Sequence, residues 1–173
     1  MPTYLNEYGL VAFASDRPLT LDEVCASLNM RVDMGNVRFL KEAMRELRNS
    51  VGIYNGRVLF CTDDPMRFFR HPLCELTERL LRAFPDGRGC AVYYYSVASI
   101  YGYAYFENGK VRRMKHGDHN LFWEDFGNLL PCEEPQRSNT DALYELVRIV
   151  TGDKLPDLAG KDIPMYRSQL MDY

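Results

Sequence analysis

The chain has 173 residues, of which 46% are hydrophobic and 26% are charged. These values are typical of one soluble globular domain with a core of its own. The net charge of −3 and the pI of about 5.6 lack the basic excess that binding to a phosphate backbone requires, which argues against nucleic acid as a partner.

The first two predicted elements are a strand and a helix. Residues 8–14 (YGLVAFA) form an apolar run that ends at a turn cluster, a pattern that indicates a buried strand. Thr20 stands three residues before Glu23 in a capping box, which predicts a helix that begins there and ends near Asn29.

A second helix is predicted from Asn36 to Arg48, because apolar residues recur along one stripe of this segment while charged residues fill the rest. After it, residues 51–61 (VGIYNGRVLFC) place Asn55 and Gly56 between two β-prone runs. Asn and Gly adopt the positive φ angles of a type I′ turn at low cost, so this segment predicts a small β-hairpin.

The acidic residues and the proline at 63–65 predict another helix start, since proline fits the first helical turn and negative charge favours a helix N-terminus. The pair His71 and Pro72 interrupts this helix, because proline lacks an amide proton and disfavours helical geometry before it. Residues 73–84 are then expected to form a separate or kinked helix with a leucine-rich buried face.

The segment 90–115 contains two strand-like runs joined by Asn108 and Gly109, which predicts an antiparallel meander. The aromatic and irregular residues 121–131 are consistent with an edge strand followed by a loop.

A further helix is predicted over residues 138–150, where apolar residues are in register and Gly152 follows as a stop signal. The last segment, 153–173, has two prolines and many charges but keeps several apolar anchors, so we expect it to wrap around the domain.

Hairpins and helices occur in clusters instead of strict alternation, which favours an α+β fold with helices covering one face of an antiparallel sheet. We expect a single domain over residues 1–173. Its parts are a helix-rich half with the small hairpin at 1–86, the sheet meander and a helix at 87–152, and a C-terminal tail at 153–173.

The cysteines form no C-x-x-C pair and lie among apolar neighbours, as reduced core residues of a cytoplasmic protein do. The N-terminus has no basic region before an apolar stretch, and no run is long enough to cross a bilayer, so no membrane association is expected. No phosphate-binding loop or nucleophile motif occurs, and we expect no cofactor and no catalytic residue. The five cysteines are Cys25, Cys61, Cys74, Cys90 and Cys132.

Three tyrosines alternate with small or apolar residues at 101–106. A period of two places Tyr101, Tyr103 and Tyr105 on one face of the sheet. Phenol rings on an accessible face would form a platform of the kind enriched at protein interfaces. The alternative is that these tyrosines cover the edge of the core, since tyrosine is favoured on strands in any case.

His116 and His119 belong to the only cluster of metal-ligand residue types in the chain. An H-x-D-H sequence without a second, spaced half is explained more simply by exposed polar loop residues. We therefore expect no metal, with His116 and His119 as the candidate ligands if one binds. Glu124 and Asp125 would complete a carboxylate site only if the loop folded back.

Charged and aromatic residues near the meander complete the predicted partner-binding set. Arg113 would bind an acidic partner, or would serve as a solvated charge that protects an edge strand from aggregation. Glu133 and Glu134 point apart on an extended segment and are expected to form a charged rim. The predicted partner-binding residues are Tyr101, Tyr103, Tyr105, Arg113, Asp118 and Trp123.

The order YGYAYFENGKVRR, a polar loop, FGNLLPCEE and a helix that ends at Thr151 and Gly152 resembles small uncharacterised bacterial proteins, some of which are similar to contact-dependent or type VI immunity proteins. The resemblance covers the C-terminal half. It implies a bacterial, cytoplasmic protein that neutralises another protein, such as a toxin or effector, by covering its surface.

These observations predict a non-enzymatic protein-binding module that uses the tyrosine face and adjacent loop residues. The alternative is a small-molecule or metal-dependent enzyme or sensor with a pocket near residues 116–134. A third interpretation makes the tyrosine face the interface of a homo-oligomer.

Overall fold

The described residues form a nine-stranded antiparallel sheet. The computed structural model describes residues 7–64, 74–118, 122–133 and 138–172. The strands are β1 Glu7–Ala14, β2 Met30–Phe39, β3 Ser50–Tyr54, β4 Arg57–Cys61, β5 Arg88–Tyr95, β6 Ile100–Glu107, β7 Lys110–Gly117, β8 Phe122–Gly127 and β9 Pro164–Leu170. The helices in the described ranges are α1 Leu21–Leu28, α2 Leu40–Arg45, α3 Glu75–Ala83, α4 Asn139–Thr151 and α5 Leu155–Ala159.

The strands lie in the order β2-β9-β3-β4-β1-β5-β6-β7-β8. The predicted α+β class with an antiparallel sheet and helices is confirmed. Helices cover both faces of the sheet, however, and not one face as expected. One core contains residues of α2, α4 and α5, and the other contains residues of α1 and α3. Strand β1 is central and almost wholly buried because it packs against both layers.

Both predicted Asn-Gly hairpins are present. Asn55 and Gly56 join β3 to β4 with φ angles of 48° and 74°, and Asn108 and Gly109 join β6 to β7 with 52° and 72°. Positive φ at both central residues is the signature of a type I′ turn, so these sequence signals acted locally as predicted.

The helix caps also follow the sequence. The Thr20 hydroxyl accepts a hydrogen bond from the Glu23 amide at 3.3 Å, as a capping residue should. The predicted C-terminal helix is confirmed as α4, which Ser138 caps and Gly152 ends with a φ of 92°. The helix predicted at residues 73–84 is confirmed as α3.

The helix predicted from Asn36 to Arg48 is wrong over its first part. Asn36 lies in strand β2, and α2 covers only Leu40–Arg45. Strand β2 pairs with β9 from Met30 to Phe39, with a bulge between Asp33 and Val37. The backbone hydrogen bonds of this pairing outweigh a helical apolar stripe that the sequence alone favours.

The segment expected to wrap the domain as a tail instead supplies α5 and β9, and β9 lies between β2 and β3. The helix start predicted at 63–65 extends into residues outside the described ranges. The predicted interruption at His71 and Pro72 lies wholly outside them. No helix of the described residues is long and apolar enough to cross a membrane.

Candidate functional site

The three tyrosines of β6 do lie on one face, as their spacing predicts, but that face belongs to the core that contains α4. Tyr101 and Tyr103 are each only 2% exposed, and Tyr105 is half-buried. The accessible platform is therefore not formed by Tyr101 and Tyr103, because α4 packs over strands β1, β5 and β6. The alternative interpretation, in which the tyrosines cover the core, describes the two residues correctly.

Arg113 lies on the same face as these tyrosines, directly opposite Tyr105. Both sequence interpretations of Arg113 required an exposed side chain, yet it is 1% exposed. Strand β7 is also not an edge strand, because β8 pairs along its outer side. A buried guanidinium needs partners for its donors. The folded sheet therefore buries the Arg113 charge, which the sequence alone predicts to lie on the surface.

The main partner of Arg113 is Glu133, which follows β8. Arg113 Nε donates to Glu133 Oε2 at 2.8 Å and Arg113 Nη2 donates to Oε1 at 2.6 Å, in a bidentate arrangement. Arg113 Nη1 donates to the Asp125 carboxylate and, at 2.9 Å, to the Phe126 carbonyl oxygen. One buried cation thus fixes both the end of β8 and the segment after it.

The Glu133 carboxylate collects further donors. It accepts hydrogen bonds from the Tyr103 hydroxyl and from the Leu130 amide, the latter at 2.7 Å. Burial raises the pKa of the Glu133 carboxyl, but the hydrogen bonds from Arg113, Leu130 and Tyr103 outweigh burial and hold that pKa below its ordinary value. Glu133 is therefore an ionised anchor. The expected place of Glu133 in a charged rim is wrong, because its side chain is only 6% exposed.

The hydrogen bond between Tyr103 and Glu133 shifts the two pKa values in opposite directions. Burial raises the pKa of the Tyr103 phenol, and the hydrogen bond to Glu133 raises it further. The Arg113 guanidinium carbon lies 6.0 Å from the centre of the Tyr103 ring. Tyr103 is thus a neutral donor to Glu133. We call Tyr103, Arg113, Asp125 and Glu133 the Arg113 cluster.

The candidate metal ligands are not brought together. His116 lies opposite Gly102, on the face of the sheet away from the Arg113 cluster, and is 6% exposed. Burial lowers the pKa of its imidazole. His119 lies outside the described residues, and among those described no three His, Cys, Asp or Glu side chains are grouped so that they could hold a metal ion.

The other predicted site residues have different outcomes. Asp118 is half-buried just after β7. The backbone of Trp123 lies in β8, but its side chain is outside the part of the structure that is described. The exposed large apolar residues in the described segment next to the Arg113 cluster are Phe126, 42% exposed, and Leu129, 72% exposed.

Sequence reasoning missed Glu133 as the partner of Arg113 because of a bulge. Regular pairing from the Asn108 and Gly109 turn would put Arg112 opposite Tyr105, whereas a shift between Tyr105 and Phe106 puts Arg113 there. A register shift of one residue moves a side chain to the other face of a sheet. No local pattern in the sequence announces this bulge.

Comparisons with known proteins identify the family but no activity. No curated protein and no solved structure matches the chain significantly. The model of DUF6928, a family of unknown function, matches residues 32–146, a range that includes the whole Arg113 cluster. The match confirms an uncharacterised family and extends further toward the N-terminus than the C-terminal half. The chain therefore belongs to the DUF6928 family of unknown function.

Proposed function

We propose that this protein is a non-enzymatic protein-binding module whose binding surface is the outer edge of β8 together with the segment that follows it. The observation that carries the proposal is the exposure of Phe126 (42%) and Leu129 (72%) on a segment whose backbone the Arg113 cluster holds through the Phe126 carbonyl oxygen and the Leu130 amide. The surface is named the β8 edge and consists of residues 124–129.

An edge strand offers a partner its unpaired backbone groups. Within the described chain β8 pairs with β7 alone and ends the sheet. An extended segment of another protein can add to such an edge through backbone hydrogen bonds, while side chains provide specificity. Leu129 and Phe126 supply apolar anchors for that contact.

The Arg113 cluster makes this surface rigid before a partner arrives. Arg113 binds the carbonyl oxygen of Phe126, and Glu133 binds the amide of Leu130, so Leu129 lies between two residues whose backbones are fixed. The Glu133 amide also donates to the Leu130 carbonyl oxygen at 2.9 Å. A surface that is already ordered loses less entropy on binding.

Charge indicates the kind of partner. Glu124 is an exposed carboxylate on the β8 edge, Asp125 is paired with Arg113 but remains 43% exposed, and the chain as a whole has a net charge of −3. Complementary charge steers encounter and fixes register. The partner segment is therefore expected to carry basic residues around an apolar anchor.

The opposite edge of the sheet suits this role less well. Strand β2 also exposes apolar side chains, Met34 at 60% and Phe39 at 46%. It carries a bulge between Asp33 and Val37 and exposed arginines at 31 and 38. Both edges carry charged side chains, but a bulge in the middle of the edge strand is a usual means by which proteins block unwanted pairing, and it disfavours β2.

The test is capture of partners from the lysate of the source organism, followed by affinity measurement with the purified partner. Leu129→Asp and Phe126→Asp are expected to weaken binding at least tenfold, while Val97→Asp, at a side chain 79% exposed on another turn, leaves it unchanged. Binding that falls equally in all three variants, or in none, would reject the β8 edge.

The finer expectations belong to the same proposal. An immunity-type role predicts that the captured partner is a toxin or effector whose activity the protein suppresses in an enzyme assay. A cytoplasmic setting is in keeping with the free state of all five cysteines, of which Cys61, Cys74, Cys90 and Cys132 are buried. Sedimentation of the purified protein distinguishes a hetero-partner from a second copy of the chain.

A further inference from the structure

A polar cleft of about 750 Å³ lies where α2 ends, far along the sheet from the β8 edge. Strand β2, strand β9 and the connection from α2 to β3 form its walls, and Asp63 after β4 completes them. Three arginines, Arg38, Arg48 and Arg167, line this cleft. We call it the arginine cleft.

The sheet register brings two of these arginines to one face. Arg38 on β2 is opposite Met165 on β9, and Arg167 is two residues further along β9. Residues opposite each other share a face, and so do residues two apart on a strand. Arg38 and Arg167 are therefore diagonal neighbours on the side of the sheet that α2 covers.

The third arginine is held in place from two directions. Arg48 is 15% exposed and donates to the Asn36 side-chain oxygen. It follows Leu47, which has a left-handed φ of 48°, and the Arg48 amide donates to the Ala43 carbonyl oxygen at 3.2 Å to close the end of α2. The guanidinium thus needs little reordering to meet a ligand.

The existing carboxylates do not saturate these cations. Glu46 lies 3.7 Å from Arg38 Nε and 3.7 Å from Arg48 Nη1. Hydrogen bonds from nitrogen to oxygen normally span about 2.7–3.2 Å, so Glu46 attracts both guanidinium groups without occupying those N–H donors. The cleft has three arginines against two carboxylates, Glu46 and Asp63, and is positive in a chain of net charge −3.

Of the three arginines, Arg167 is the one without a carboxylate at ion-pair distance among the described residues. Within the described residues it forms no ion pair, and Asp33, which lies opposite it, accepts a hydrogen bond from the Gly35 amide at 3.0 Å instead. The Asn49 side-chain oxygen already accepts the Asp63 amide at 3.0 Å. The arginines therefore supply the cationic donors of the cleft, and the neutral side chains of Asn49, Ser168 and Gln169 line it beside them.

We propose that the arginine cleft binds a small ligand with several anionic oxygens, of the phosphate or polycarboxylate class. The planar guanidinium fork matches both kinds of oxyanion, and three forks around one cleft favour a ligand with more than one negative charge. This site is separate from the β8 edge and does not depend on the protein partner proposed above.

The experiment is calorimetric titration of the purified protein with pyrophosphate and, separately, with citrate, each against sodium chloride of equal ionic strength. Saturable binding of either probe is expected, and the probe that binds more tightly identifies the ligand class. Arg167→Gln should weaken binding about tenfold or more, because a charge-assisted contact is lost.

Two matched variants make the result specific. Arg31→Gln removes an exposed arginine of β2 that does not line the cleft, and it should leave affinity unchanged. Glu46→Gln removes the carboxylate between Arg38 and Arg48 and should tighten binding several-fold. Circular dichroism confirms that each variant is folded. No binding beyond the chloride control, or equal loss in Arg167→Gln and Arg31→Gln, would overturn the proposal.

Discussion

Arg113 shows how a single buried side chain connects a loop to the sheet. Its guanidinium is 1% exposed and binds Glu133, whose side chain is 6% exposed. The favourable interaction of such a pair is largely offset by the cost of removing both charges from water, whereas either charge left alone is strongly unfavourable. The pair therefore determines where the segment after β8 lies more than it adds to net stability.

We expect Arg113→Met to lower the free energy of unfolding by about 3–5 kcal/mol, because the Glu133 carboxylate then has no cation beside it. Urea denaturation measures this change. The double variant Arg113→Met with Glu133→Leu should recover most of the loss.

The control for that experiment is Arg148→Met, which removes an arginine that is 50% exposed and paired with Glu145. Exposed pairs contribute at most about 1 kcal/mol. A loss this small in Arg113→Met would contradict the assignment of Arg113 as a buried anchor.

Glu133 also predicts a pH dependence. Its pKa is lower in the folded protein than its ordinary value of 4.5, so its contribution to stability is present above that value and is lost as the pH falls through the folded pKa. The free energy of unfolding should therefore decrease on acidification below about pH 4.5, and the decrease should be smaller in Glu133→Gln. If the free energy of unfolding of Glu133→Gln fell equally steeply with pH, other carboxyl groups would account for the pH dependence.

At the scale of elements, β3 and β9 approach each other unusually closely at Gly52. A Cβ atom built on Gly52 would lie 2.4 Å from the Pro164 carbonyl oxygen and 2.6 Å from the Met165 sulfur. Glycine at this position lets β9 fit beside β3, since any side chain would meet backbone atoms.

Gly52→Ala should therefore destabilise the protein by about 1–3 kcal/mol through overpacking. Gly35→Ala is the matched control, because Gly35 lies on edge strand β2 and its added Cβ would meet only the Asp33 side chain at 3.4 Å. Thermal denaturation of both variants tests the difference. Equal melting temperatures would show that β9 can shift to accommodate a methyl group.

For the whole molecule, the C-terminal residues determine whether the β2 end of the sheet can form. Strand β9 joins β2 to β3, and the Ile163 carbonyl oxygen accepts the Leu40 amide at 2.9 Å where α2 begins. Without β9, β2 would have no neighbouring strand and β3 would become an edge.

Truncation after Gly160 is therefore expected to prevent cooperative folding. Gln169→Ala, which changes an exposed side chain of β9 and keeps the strand, should unfold like the wild-type protein. Near-ultraviolet circular dichroism and denaturation with urea measure both outcomes. A cooperative transition in the truncated chain would show that β9 is dispensable.

The sequence by itself determined the features that depend on neighbouring residues. The turns at Asn55 and Asn108, the cap at Thr20 and the helix stop at Gly152 all occur as predicted, because each is fixed by the conformational preference of one to four residues. The antiparallel character of the sheet follows from the same turns.

Only the tertiary structure decided which faces are buried and which distant strands pair. Residues 30–39 become a strand because β9, more than 120 residues later, offers backbone partners, and this outweighs a helical apolar pattern. The bulge between Tyr105 and Phe106 places Arg113 beside Glu133, and α4 covers Tyr103. Burial and long-range register depend on the whole chain at once, so the exposed residues of the β8 edge and the arginines of the cleft were apparent only from the folded molecule.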